Sequence, residues 1–191
     1  MDFITTYTGV HLNPADPDPD QIRIEDIAHA LSLICRGNGQ VRTFWSVGEH
    51  CLCCAREAEA RGLSSRVVLA CLLHDASECY LSDVPRPVKK DLKGYAELEN
   101  RLLDRIYRKY LGSVLRPEED ALLREIDDAM LQRDLACLLG EKTGGEVLEL
   151  KAEPDYAVRP FRKVEEEYLE MFARHAASPD CMAQDAGRET T

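Results

Sequence analysis

Four positions carry the side chains with the clearest chemistry: His50, the adjacent pair His74-Asp75, and Asp127. Imidazole nitrogen and carboxylate oxygen are donors for a borderline or hard divalent cation. Two of each balance the charge of such an ion and leave room for water and a substrate oxygen, as in a catalytic site. A His-Asp dipeptide is weak on its own, but this one ends the uninterrupted apolar run Val67-Val68-Leu69-Ala70-Cys71-Leu72-Leu73. A helix hydrophobic all round is a buried one. An imidazole and a carboxylate at its end are costly unless something compensates their lost hydration, and a metal ion would. Asp127 has apolar neighbours in Ile126, Met130 and Leu131. The plain alternatives are a partly exposed His50 and a solvated acidic pair, Asp127-Asp128.

The elements that must position these groups read as helices. Ile24, Ile27, Ala28, Leu31 and Ile34 recur at helical spacing, and Gly37-Asn38-Gly39 should end that helix with a left-handed cap. Ser46-Val47-Gly48-Glu49 is a capping box, opening a helix to about Arg61 with His50 in its first turn. Gly62 stops it, and Ser64 or Ser65 caps the buried helix leading to His74. Val84-Pro85-Arg86-Pro87 cannot be helix interior. Helix returns over Tyr95–Tyr110 with Leu98, Leu102, Ile106 and Tyr110 on one stripe. Arg116-Pro117-Glu118-Glu119 opens another helix, whose Ala121–Leu139 stretch carries Asp127. Gly140 and Gly144-Gly145 break the chain, and a last helix spans Pro160–Ala176. Thr5–Gly9 allows a short strand, and Asn13–Asp20 is a turn-rich loop. The reading is an all-α helical bundle with an allowance for a short N-terminal hairpin. One domain covers residues 1–177, and 178–191 are expected to be a disordered tail.

A chain of 191 residues with 45% hydrophobic and 31% charged residues fits one soluble globular domain. The net charge of −11 argues against a nucleic-acid or membrane-surface binder but leaves a small anionic substrate open. No run is long enough to span a bilayer and no signal-peptide pattern opens the chain, so the expected location is cytoplasmic. The eight cysteines are then reduced thiols. Cys35, Cys71 and Cys137 read as core hydrophobes, and Cys51 and Cys54 lack the second pair of a zinc ribbon, so a cysteine-ligated metal is not expected.

The order H…HD…D across helices resembles the HD-domain metal phosphohydrolase superfamily. Several segments are similar to the subgroup of bacterial HD-domain 5′-nucleotidases and phage dATP triphosphohydrolases: Ile24–Ser32, Val41-Arg42-Thr43, Ser46–His50, and His74-Asp75-Ala76-Ser77-Glu78 with Asp83-Val84-Pro85-Arg86-Pro87-Val88-Lys89. The similarity covers roughly residues 5–140. It implies an HD-domain bundle holding one divalent ion per site (Mn, Co, Ni, Zn, Fe or Mg) on His50, His74, Asp75 and Asp127. Asp128 is a weaker candidate. It implies Glu78 as general acid/base or water-positioning residue, Asp83 as an acid assisting at the leaving group, and Arg42 and Lys89 as phosphate contacts. Subgroup members often carry Arg-Trp where this chain has Cys35-Arg36. Arg36 is therefore a candidate substrate contact, and Phe44 or Trp45 a substitute aromatic platform.

The implied activity is metal-dependent hydrolysis of the phosphomonoester of (deoxy)nucleoside 5′-monophosphates. Alternatives are dNTP triphosphohydrolysis and a non-catalytic nucleotide-binding or sensor domain. A diiron oxygenase is disfavoured, because no histidine occurs between Asp75 and Arg174. The expected partners are a small nucleotide and further copies of the chain, as relatives form dimers and larger rings. His29 reads as a structural or outer histidine of the site.

Overall fold

The apolar run ending in His74-Asp75 is the axis of the structure, a computed structural model that describes residues 2–141 and 149–181. It forms α3 (Ser65–Leu73), capped by the Ser64 hydroxyl and buried at every position from Arg66 to Leu73. It is packed by α2 (Val47–Ala60), α6 (Tyr95–Leu111), α7 (Pro117–Asp134) and α8 (Phe161–Ala176). Each fully buried Val or Leu contributes about 2 kcal/mol. Five of them in one helix are enough to offset charged groups at its end, which cost several kcal/mol each when poorly compensated.

Around that axis, α1 (Ile24–Leu33) packs on α2 and α8. Two short helices, α4 (Glu78–Leu81) and α5 (Arg86–Lys89), bridge α3 to α6. The protein is all-α apart from a two-stranded N-terminal hairpin, β1 (Ile4–Thr5) and β2 (His11–Leu12), paired antiparallel. No helix among the described residues is long and apolar enough to cross a membrane.

Several boundaries differ from the sequence reading, for identifiable reasons. Helix α1 stops at Leu33 rather than at the glycines, because Ile34 and Cys35 are captured by an extended pairing with Ser46: Arg36 N donates to Trp45 O at 2.8 Å and Val47 N to Ile34 O at 2.9 Å. The glycines instead shape a tight turn, Arg36–Gly39, with Gly37 and Asn38 at φ of 59° and 54°. The prolines after Asp83 do avoid helix interior: Val84-Pro85 is non-helical and Pro87 sits in the first turn of α5. Helix α7 ends at Asp134, and Leu135–Leu139 form a π-turn. Trp45 is 1% exposed and packs on Tyr156 at 4.7 Å, so it is a core residue and not a substrate platform. Cys71 is buried as expected, but Cys137 is exposed. Of the expected tail, Ser178–Cys181 pack back: Cys181 is buried and Asp180 Oδ2 accepts from Ser65 N at 3.0 Å. Gly144-Gly145 and residues 182–191 lie outside the described residues.

One buried ion pair ties the first turn of α7 to α3. Arg66 of α3 donates from Nε to Glu119 at 2.9 Å, and its other nitrogens bond Leu111 O, Ser113 Oγ at 2.9 Å and Val114 O at 3.1 Å. Glu119 also accepts from Arg116 N at 2.9 Å, closing the first turn of α7. Burial would raise the Glu119 carboxyl, but bonds from Arg116 and Arg66 outweigh it and hold it below its usual range. Such a group contributes stability above its unfolded pKa and loses it as pH falls through the folded one. We therefore expect Glu119→Ala to cost about 3 kcal/mol, the penalty of a buried charge losing its partner. Urea unfolding of Glu119→Gln should show a smaller loss of stability than wild type on acidification below about pH 5. Equal acid slopes would show that the pair does not hold the Glu119 carboxyl below its usual range.

Candidate metal centre

The first turn of α2 places His50 over the end of α3. Ser46 accepts from Glu49 N at 3.1 Å and Glu49 accepts from Ser46 N at 2.9 Å, so the capping box is formed at both ends. His50 is fully buried, and its Nδ1 donates to Asp134 Oδ2 at 2.8 Å. That bond sets the tautomer and leaves the Nε2 lone pair facing inward. His74 is oriented in the same way: Nδ1 donates to Cys71 O at 2.8 Å. Its side chain is 7% exposed, and its Nε2 is a buried atom with no hydrogen-bond partner.

Carboxylates converge on these two nitrogens. Asp127 Oδ1 lies 3.0 Å from His50 Nε2 and 3.6 Å from His74 Nε2. Asp75 Oδ2 lies 3.2 Å from His74 Nε2 without hydrogen-bond geometry. Acceptor atoms this close repel one another unless a proton or cation lies among them. The electrostatics agree. Burial opposes charge on His74, but Asp75 above all outweighs it and raises the imidazole well above its usual range. Burial would raise the Asp75 and Asp127 carboxyls, yet His74 and His50 hold both far below theirs. Desolvation also opposes charge on Arg36, but Asp75, Asp134, Asp83 and Glu78 keep it firmly protonated. The buried His, Cys and Asp side chains here form a group able to hold a metal ion, with His50, Cys54, His74 and Asp127 donor atoms all within 4.8 Å of one another. A second, overlapping group is Cys51, His74 and Asp75. The donor set and the orphaned His74 nitrogen fit a divalent ion.

Asp75 and Asp127 of this cluster line a cavity of about 420 Å³, a size suited to a small ligand. Arg36, Glu78, Asp83, Arg86 and Lys89 line it, with an aliphatic wall that includes Val41, Leu131 and Leu138. Arg36 donates to Asp75 Oδ2 at 3.2 Å, presented by the turn that Asp83 secures by accepting from Gly37 N at 2.8 Å. Glu78 is 3% exposed; Lys89 Nζ is 3.3 Å from its Oε1, while its Oε2 is buried without a partner. Burial, reinforced by Asp75 and Asp83, pushes its carboxyl up to about 9. Lys89 also donates to Glu99 at 2.6 Å.

The structure thus brings together His50, His74, Asp75, Asp127, Glu78, Asp83, Arg36 and Lys89. It does not bring Arg42: this residue is exposed, and its guanidinium lies over Gly140, where a Cβ would fall 2.6 Å from its nitrogens. Only its neighbour Val41 reaches the cavity. A cation that does line the cavity is Arg86, 2.9 Å from Asp127 Oδ2 and 3.3 Å from Asp128 Oδ1. Asp128 is exposed at the rim, leaving Asp127 as the inward acid. No aromatic ring among the described residues lines the cavity, Phe44 included. His29 pairs with Glu165 at 3.1 Å and stacks on Tyr7 at 3.6 Å, a structural role. The sequence reading sets Cys54 aside and does not single out Asp134, yet both stand at this centre. Asp134 stands two helical turns beyond Asp127, and Cys54 one turn beyond His50, so each shares a face with a candidate ligand.

No family model matches the chain. Over 138 residues it is 36% identical to the uncharacterized protein YfdR of Escherichia coli, an overlap covering 71% of this chain and 73% of that protein. Over 109 residues it is 43% identical to the uncharacterized protein RCAP_rcc00048 of Rhodobacter capsulatus, 54% of this chain and about half, 55%, of that relative.

Because the Asp134 carboxylate orients His50, accepts from Tyr156 Oη at 2.8 Å and lies 3.7 Å from Arg36 Nε, its removal should loosen the donor nitrogen while leaving every candidate ligand side chain in place. Asp134→Ala should weaken divalent-metal binding by about tenfold or more, measured by calorimetric titration of metal-stripped protein. An unchanged affinity would mean that Asp134 does not set the His50 tautomer.

Proposed function

We propose that the chain, which belongs to the family of the Escherichia coli protein YfdR, is a metal-dependent phosphohydrolase of nucleotides that cleaves the phosphomonoester of (deoxy)nucleoside 5′-monophosphates. The observation that carries this reading is the orphaned His74 Nε2, 3.2 Å from Asp75 and 3.6 Å from Asp127, two carboxylates that line a cavity ringed by Arg36, Arg86 and Lys89. The resemblance to HD-domain phosphohydrolases supports it, because His50, His74, Asp75 and Asp127 are the positions that family uses for its metal. Those four residues would hold one divalent ion. When bound, it supplies charge neutralisation at the phosphoryl group and a water of lowered pKa.

The chain's own side chains account for the remaining tasks. Lys89 and Arg86, now paired with carboxylates, are placed to exchange those partners for phosphoryl oxygens. Arg36 lies deeper, beside Asp75, where its planar guanidinium suits a phosphate. In the hydrolysis, the water oxygen bonds phosphorus as the bond to the nucleoside 5′-oxygen breaks. Glu78 keeps its proton near neutral pH, so it can deliver that proton to the departing oxygen and recover one from the attacking water. Asp83 holds the Arg36–Gly39 turn in place and lines the cavity, where the resemblance would have it assist at the leaving group. The three cations around one cavity also favour a second reading, release of triphosphate from a dNTP.

The decisive assay follows phosphate release from ribo- and deoxynucleoside mono-, di- and triphosphates. It uses metal-stripped protein re-supplied in turn with Mn, Co, Ni, Zn, Fe or Mg. Orthophosphate from the monophosphates is the expected result, and inorganic triphosphate from a dNTP would establish the second reading instead. Metal and nucleotide binding without turnover of any substrate would overturn both in favour of a sensor. Glu78→Gln, equal in shape but unable to transfer a proton, should bind metal normally and lower kcat by about two to four orders of magnitude. Lys89→Met should act mainly on KM, as expected for lost phosphate binding.

A further inference from the structure

Cys54 leaves the same face of α2 as His50, one turn further on. It is 1% exposed, and its Sγ lies 3.6 Å from His50 Nε2. A thiol donating to that nitrogen would be the simplest account of the contact. His50 Nε2 also meets Arg36 Nη2 at 3.2 Å and Asp127 Oδ1 at 3.0 Å, but His74 Nε2 faces the same point buried and without a hydrogen-bond partner. One ion would satisfy both nitrogens, the sulfur and Asp127, whose donor atoms all lie within 4.8 Å of each other. An ion bound at about 2.3 Å to a thiolate and about 2.1 Å to an imidazole, at a tetrahedral angle, holds those donors roughly 3.6 Å apart. The observed sulfur–nitrogen separation matches that spacing.

We propose that Cys54 is a thiolate ligand of the ion held by His50, His74 and Asp127, and that it biases the site toward zinc, cobalt(II) or iron(II) and against magnesium. The inference deepens the metal-dependent reading and rests on it. A soft sulfur donor favours these ions, whereas magnesium prefers oxygen and retains its waters. Asp75, with Oδ2 3.2 Å from both His74 Nε2 and Arg36 Nη1, would be a fifth donor if the ion expands beyond these four ligands. On binding, the S–H bond breaks, its proton passes to solvent and a sulfur–metal bond forms, with no change in oxidation state. This reverses the expectation from cysteine spacing. The C-x-x-C pair does not act as a unit, because Cys51 lies in the other group, with His74 and Asp75.

Cobalt(II) titration of metal-stripped, reduced protein tests this by absorption. Stoichiometric binding should produce visible ligand-field bands together with a strong near-ultraviolet thiolate-to-cobalt band. Cys54→Ser should lose the second and keep the first, while Cys51→Ser should keep both. Cys54→Ala repeats the assignment if serine disturbs the apolar surroundings. In zinc–magnesium competition, Cys54→Ser should reduce the preference for zinc more than about tenfold. Ligand-field bands without a thiolate band in the wild type, or a thiolate band abolished by Cys51→Ser alone, would overturn the Cys54 assignment and leave the metal site standing. Failure to bind cobalt at all would remove the metal reading as well.

Discussion

The imidazole of His74 and the carboxylates of Asp75 and Asp127 are withdrawn from water at the end of the most buried helix, where ionised groups persist only if each meets an opposite charge. Much of the surrounding architecture serves that requirement. Arg36 reaches in from a turn that exists because Ile34-Cys35 pairs with Ser46 and because Asp83 captures the Gly37 amide. Arg86 pairs with Asp127, and Lys89 meets Glu78. The carboxylates are thus partnered by guanidinium, ammonium and imidazole groups that would also serve an anionic ligand. Stability and ligand binding draw on the same charges.

Orientation is fixed by a layer one bond further out. Asp134 holds His50, and Tyr156 holds Asp134; the Cys71 carbonyl holds His74. Such outer bonds decide which ring nitrogen faces inward, and so whether two histidines are donors for one point or merely neighbours. Asp127 and Asp134 lie on one helix, so the position of α7 sets an inward acid and an orienting acid together. The Arg66–Glu119 pair ties the first turn of that helix to α3. A buried pair remote from the cavity therefore bears on the geometry of the centre.

Glu78 shows how the same field sorts otherwise similar groups. Asp75 and Asp127 sit against imidazoles and stay ionised, whereas Glu78 sits against Asp75 and Asp83 and holds its proton. Pairs of carboxyl groups driven apart in this way divide naturally into charge-bearing and proton-carrying roles. The division arises from placement, since the residues differ by a single methylene.

How much of this was legible in the chain follows the range of the interactions. The Ser46–Glu49 box, the Ser64 cap, the apolar run of α3 and the stripe of α6 are local, set by neighbours a turn apart, and the all-α reading with a short hairpin followed from them. The candidates His50, His74, Asp75 and Asp127 were also visible, since residue type and helical context mark a possible donor before any contact exists. What only the tertiary structure decided depends on segments far apart in sequence. Asp134 turns His50, Cys54 faces the same point as His74, Arg86 rather than Arg42 reaches the cavity, and Trp45 is spent on the core. Helical periodicity tells which face a side chain leaves from. Only the packing of α2, α3 and α7 determines what that face meets, because desolvation and charge compensation act across space rather than along the chain.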